Sequence, residues 1–146
     1  MRVLALDVGE RRIGVALSDP LGIIAAPVTA IERTNLPSDI EAVLDMAAEH
    51  EVSEIVVGLP LSLSGRAGPQ AGRVQTFVRH LSQHSAIPVV CVDERYSTVE
   101  AERRLRESGV QPSRDRKRLD AASAAVILQA HLDARRSAAG HEGPSS

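Results

Sequence analysis

Apolar and polar positions along this chain follow first a strand-like and then a helix-like spacing, and the changes of spacing mark its elements. Residues 2–8, 13–19 and 23–31 are rich in Val, Ile, Leu and Ala and are parted by Gly or Pro, which predicts three strands. Their short links make them an antiparallel meander. Pro37 opens a helix in which Ile40, Val43, Leu44 and Ala47 recur at i, i+3, i+4 and i+7, with its acidic residues expected on the other faces. Residues 53–59 read as a buried strand stopped by Pro60, and a strand after a helix implies a parallel crossover. The stretch from Pro60 to Gly72, with Ser62, Ser64, Gly65 and Gly68, is too rich in small residues to pack and reads as a mobile loop. Pro69 starts the next helix, which carries Val74, Phe77, Val78 and Leu81 at helical spacing, and residues 88–92 form the fifth strand.

Ser97-Thr98-Val99-Glu100 fits a capping box, so a helix starts there and stops at Gly109. Pro112 and the charged stretch Arg114 to Arg118 read as a linker. A last helix is predicted from about Leu119 to Arg135, where Ala121-Ala122-Ser123-Ala124-Ala125 permits close packing on a sheet. The order β-β-β-α-β-α-β-α-α describes an α/β fold, a mixed five-stranded sheet with helices on both faces.

The 146 residues suit one domain, 1–135, followed by a segment 136–146 of small and polar residues expected to be disordered. No apolar run reaches the ~18 residues of a membrane span, and the first residues lack the character of a signal segment, so a cytoplasmic protein without a membrane partner is expected. Cys91 is the lone cysteine, which rules out an intramolecular disulfide and a Cys-type zinc site. It reads as a small buried core residue.

A net charge of -2 hides an uneven distribution. Glu32, Asp39, Glu41, Asp45, Glu49, Glu51 and Glu54 face only Arg33, whereas Arg95, Arg103, Arg104, Arg106, Arg114, Arg116, Lys117 and Arg118 outnumber their acidic neighbours. A polyanion would approach the basic side, although such a run also serves as a plain solvated surface. With Phe77 and Tyr96 the only aromatic residues, base-stacking modules are disfavoured and any nucleic-acid contact falls mainly on phosphates.

Asp7 interrupts the apolar run Val3-Leu4-Ala5-Leu6, and an ionised group inside such a strand is costly unless a cation or hydrogen bonds compensate it. Chain order brings it towards Glu94, at the end of the fifth strand, and Asp120, in the first turn of the last helix. Paired divalent ions bridged by acidic oxygens activate water and stabilise a leaving oxygen in phosphodiester cleavage. Each acid has a plainer role available. Asp120 could complement the positive end of its helix, and Glu94 could pair with Arg95. Asp93 alternates with Glu94 and is expected on the other side of the strand. His80 and His84 have metal-clamp spacing but no third ligand beside them, and His50, His131 and His141 show no partner in the sequence.

Asp7-Val8-Gly9 with Arg12-Ile13-Gly14-Val15-Ala16 and Ser18-Asp19, Val56-Val57-Gly58-Leu59-Pro60, Asp93-Glu94-Arg95 with Ser97-Thr98, and Asp120-Ala121-Ala122 with Ile127-Leu128-Gln129 and Leu132-Asp133 occur in that order. Together they resemble the YqgF family, also called RuvX or Holliday junction resolvase-like proteins, over residues 2–133. The resemblance implies a ribonuclease H-like fold and a hydrolase of phosphodiester bonds, a nuclease maturing the 5′ end of pre-16S ribosomal RNA in bacterial ribosome biogenesis. It implies Mg²⁺ or Mn²⁺ held by Asp7, Glu94 and Asp120. Arg12 and Arg95 match basic positions beside those acids, and Arg114, Arg116, Lys117 and Arg118 would hold flanking phosphates. Structured RNA is the expected partner and branched DNA the other, for a monomer or homodimer. Resolvases of this type carry a carboxylate at the end of the fourth strand, where this chain has Leu59-Pro60. Two other readings stay open: a non-catalytic RNA-binding assembly factor, and the phosphate loop of an actin-like or sugar-kinase ATPase, for which the chain has one domain instead of two.

Overall fold

The structure, a computed structural model, describes residues 1–60, 68–93, 97–107, 109 and 115–141. The expected mobile loop lies largely outside them. Strands β1 (Val3–Val8), β2 (Arg12–Ser18), β3 (Ala25–Glu32), β4 (Glu54–Leu59) and β5 (Val89–Asp93) form one sheet in the order β3-β2-β1-β4-β5. The first three are antiparallel neighbours, and β4 and β5 extend the sheet in parallel from β1. The mixed sheet read from the sequence is therefore present.

Period-two alternation divides the strands between two cores. Leu4, Leu6, Val8, Ile13, Val15, Ile55 and Val57 pack against helices α1 (Leu36–Glu49) and α2 (Pro69–His84), where Ile40, Val43, Val74, Phe77 and Leu81 are buried. On the other face Val3, Ala5, Ala16 and Val56 meet Ala124, Ala125, Ile127, Leu128 and Leu132 of α4 (Arg116–His141). Helix α3 (Ser97–Glu107) packs on α4. Among the described residues no helix is long and apolar enough to cross a membrane.

The helix starts follow capping chemistry. Asn35 accepts a hydrogen bond from the Ser38 N–H at 3.0 Å, with a proline in the first turn of α1. Asp115 accepts one from Arg118 N–H, also at 3.0 Å, which starts α4 earlier than expected. Arg116, Lys117 and Arg118 are accordingly helical and not part of a linker. Asp120 lies beyond the first turn, and α4 continues past Arg135 to His141.

Two burial expectations are overturned. Asp39 was expected on a polar face of α1 but is 2% exposed, because Arg33 reaches over to pair with it. Cys91 was expected in the core but is exposed, since β5 is an edge strand. Partial desolvation pushes its thiol pKa up, so it is not an activated nucleophile.

Candidate active site

β1 and β2 are in register with Asp7 opposite Gly14. Val3 and Ala5, four and two residues before Asp7, pack on the α4 side, as does Ala16, two beyond Gly14. Asp7 and Gly14 thus share the α4 side of the sheet. At Gly14 a side chain is impossible without movement, because an ideal Cβ would stand 2.0 Å from the Asp120 carbonyl oxygen and 2.5 Å from its carbon. The backbone of α4 occupies the space a side chain would have filled. Since directly opposed Cβ positions lie roughly 4.5–5.5 Å apart, the Cβ of Asp7 falls within about 7.5 Å of the Asp120 carbonyl oxygen. The glycine therefore brings together the two carboxylate-bearing segments, one from each end of the chain.

Arg12, at the start of β2, donates from Nε to Oδ2 of Asp120 at 2.7 Å. Their side chains are 21% and 28% exposed, so the pair is partly shielded from water. The hydrogen bond it donates to Asp120 is the chief cause that raises the Arg12 pKa, which keeps the guanidinium charged throughout. Asp7 is half-buried. Glu94, Arg95 and Arg114 lie outside the described residues. Asp93 is exposed, and Val90 and Val92 before it pack on the α4 side, so Asp93 takes the other side as expected.

Among the described residues no group of three His, Cys, Asp or Glu side chains is placed to hold a metal ion. The donors that are described, Asp7 and Asp120, are carboxylates and suit a hard divalent cation. His80 and His84 instead line a groove with Leu36, Ile40, Glu41 and Asp45 of α1, and His84 Nδ1 lies 2.9 Å from the His80 carbonyl. His131, without a partner in the sequence reading, sits 3.3 Å from Glu54, which Arg135 also holds.

Arg116, Lys117 and Arg118 are exposed in the first turn of α4. Lys117 lies 3.7 Å from Glu32, and Arg118 3.3 Å from Asp115. Next to them, between β3, α3 and α4, runs an open groove of about 540 Å³ lined by Val28, Thr29, Leu105, Lys117, Arg118 and Ala121. Ala121, in that lining, is the residue that follows Asp120 in α4. Sequence reasoning missed Gly14 as the contact point, although a lone glycine inside an apolar strand often marks the close approach of another backbone. It also missed Arg33, whose one visible signal was being the single cation among seven acids.

A family model described as "RuvX: Holliday junction resolvase" matches residues 1–134. Relatives named "Putative pre-16S rRNA nuclease" include one from Roseiflexus sp., 46% identical over 92% of this chain and 96% of the relative. One from Myxococcus xanthus is 44% identical over 93% and 90%. Among solved structures, RuvC of T. thermophilus in complex with a Holliday junction substrate is similar with a TM-score of 0.59 at 14% identity, covering 93% of this chain and 96% of that one. A fowlpox virus resolvase bound to Holliday junction DNA has a TM-score of 0.57 at 9% identity, over 92% and 99%. At these identities the likeness to the solved structures is one of fold, and it agrees with the ribonuclease H-like plan that the family resemblance implies.

Proposed function

The chain belongs to the RuvX family of Holliday junction resolvases, and from that membership we propose a divalent-metal-dependent nuclease that trims the 5′ end of pre-16S ribosomal RNA in the cytoplasm. Residues 1–135 form its catalytic unit. The observation that carries the reading is the close approach of Asp120 to the β1–β2 pair at Gly14, opposite Asp7. Remote segments that converge on one point with carboxylates are what a phosphodiesterase centre requires. The names carried by the relatives support RNA as the substrate.

Asp7, Glu94 and Asp120 would hold Mg²⁺ or Mn²⁺, Glu94 being the residue next after β5 in the sequence. Bound there, such ions supply a lowered water pKa and charge stabilisation at the leaving oxygen. The protein's own groups do the rest. Arg12 fixes one oxygen of Asp120 and offsets its charge, which keeps two carboxylates from repelling one another at the centre. Three cations in the first turn of α4 oppose the helix dipole, an arrangement that costs stability and that a bound phosphate would relieve. Arg116, Lys117 and Arg118 are therefore assigned to flanking phosphates, as is Arg114 just before them in the sequence, while Arg12 and Arg95 are assigned to the scissile phosphate.

Branched DNA is the second reading, favoured by the description of the family model. One assay separates the two. Asp7→Asn and Asp120→Asn variants are compared with the unaltered chain on labelled RNA bearing a 5′ extension and on four-way DNA junctions, each with Mg²⁺, Mn²⁺ or chelator. Metal-dependent RNA products lost in both variants are expected. Full activity in either variant, or products formed in chelator, would overturn the reading.

A further inference from the structure

Arg33 joins helix α1 to the turn between β1 and β2, and we infer that it is a positioning residue for the nuclease centre, acting from the opposite side of the sheet. This inference rests on the function proposed above. Its guanidinium makes contacts in three directions. Nη1 donates to the Gly9 carbonyl at 2.9 Å, Nε donates to Oδ2 of Asp39 at 3.1 Å, and Cζ stands 5.5 Å from the centroid of the Phe77 ring. The Arg33 backbone N–H adds a bond to the Arg11 carbonyl at 2.9 Å. Asp39 is itself locked, its other oxygen accepting from the Thr34 N–H at 3.0 Å. Phe77 and Asp39 are buried, so the guanidinium is clamped between a rigid ring and a rigid carboxylate.

What Arg33 grips is short and stiff. The turn closes with Gly9 N–H donating to the Arg12 carbonyl at 2.9 Å, and a Cβ at Gly9 would meet that same oxygen at 2.9 Å. One end of the turn lies two residues after Asp7. Its other end is Arg12, which holds Asp120. A shift of the Gly9 carbonyl would therefore move Asp7 and the partner of Asp120 against each other. A further side-chain tie of the turn on the described residues, Glu10 to Arg73, involves groups 74% and 61% exposed, and a surface pair of that kind adds little. The Arg33 tie is the better shielded of these two.

Arg33→Lys tests this, because an ammonium keeps the charge but lacks the planar fork that reaches Gly9 and Asp39 together. Phe77→Leu is the second variant, loosening the clamp without touching the turn, and Arg73→Lys is the control. Manganese affinity of the full chain is measured by titration calorimetry, and opening of the turn by amide exchange at Gly9. Supporting partners of ligating groups typically change metal affinity by roughly 10–100-fold when mutated, so Arg33→Lys should weaken Mn²⁺ binding about 10-fold and accelerate Gly9 exchange. Phe77→Leu should move both in the same direction, and Arg73→Lys neither. A folded Arg33→Lys chain with unaltered Mn²⁺ affinity or unaltered Gly9 exchange overturns the inference, as does an Arg73→Lys effect of equal size. Should Arg33→Lys fail to fold, Phe77→Leu decides on the same two readouts. Absence of Mn²⁺ binding in the unaltered chain would sink the nuclease reading instead, and Gly9 exchange would still judge whether Arg33 holds the turn.

Discussion

Replacing Gly14 by alanine adds one methyl group where the structure has no room for it. The new carbon would start 2.0 Å from the Asp120 carbonyl oxygen, whereas a carbon–oxygen contact settles near about 3.3 Å. One side must retreat by roughly 1.3 Å, taking the difference of those two distances. Neither is a flexible side chain: the obstacle is helix backbone, and β2 is held on both sides by β1 and β3. The retreat would open a gap under Ala121, Ala124, Ala125 and Leu128, and a gap of even ~0.5–1 Å forfeits a quarter to a half of the dispersion attraction there. Overpacking normally costs about 1–3 kcal/mol, and rigid backbone on both sides puts this site at about 3 kcal/mol. For a chain of this length that is a fall in Tm of roughly 6–12 °C, measured by calorimetry. Moving Asp120 by about 1 Å should also reduce cleavage by something like 100-fold. Gly72 is the internal control, since a Cβ there meets nothing within 4 Å and the residue lies in α2. Gly72→Ala should stabilise the protein by about 0.5–1 kcal/mol. If Gly14→Ala melts with the unaltered protein while Gly72→Ala behaves as stated, the proposed contact between α4 and β2 is wrong.

Asp39→Ala leaves the Arg33 guanidinium without its carboxylate. Because Arg33 is 24% exposed, the loss should be about 2–3 kcal/mol by urea denaturation, less than for a fully buried pair, and a loss under about 0.5 kcal/mol would show that water replaces the carboxylate freely. Backbone hydrogen bonds, from Ile24 above all and then Ile23 and Leu21, hold the Asp19 carboxyl below its ordinary pKa. That depressed value belongs to the folded state, so its stabilisation is present above the ordinary carboxylate range and is lost as pH falls through the folded pKa. Asp19→Asn should flatten the acid limb of stability against pH, and a limb as steep as the original would refute the assignment. Lys117→Ala should lower the salt dependence of RNA binding by about 0.9 in the logarithmic slope if one phosphate contact is lost, and an unchanged slope would remove Lys117 from the interface.

The sheet was legible because its signals are local. Val, Ile and Ala runs punctuated by Gly and Pro placed all five strands, and helical spacing of Ile40, Val43 and Ala47, then Val74, Phe77 and Leu81, identified the faces that are buried. The errors fall where a contact between distant residues outweighs local composition. Arg116 to Arg118 looked like a linker because they continue a charged stretch that follows Pro112, yet Asp115 supplies the cap and α3 and the sheet supply the packing that hold them helical. Asp39 looked solvent-facing because its partner, Arg33, comes from the end of β3.

That last error bears on how a functional carboxylate is recognised. Asp7 drew attention because a charge in an apolar strand is costly, and by the same reasoning Asp39, at 2% exposed, would have ranked above it. Burial alone does not separate the two. Asp39 has its charge answered from within the fold, by the Arg33 guanidinium and the Thr34 N–H, so its oxygens are committed to holding α1 against the β1–β2 turn. Asp120 has Arg12 on one oxygen and stands 28% exposed, with three exposed cations within the turn before it. A carboxylate left partly open beside exposed cations is arranged for a charged visitor, whereas one enclosed by its own donors is arranged for the fold. The two kinds meet at the β1–β2 turn, gripped on one side by the buried pair and carrying on the other the arginine that orients Asp120. Stability on one face of the sheet and chemistry on the other are therefore expected to change together when Gly9 moves, and separately when only the first turn of α4 is altered.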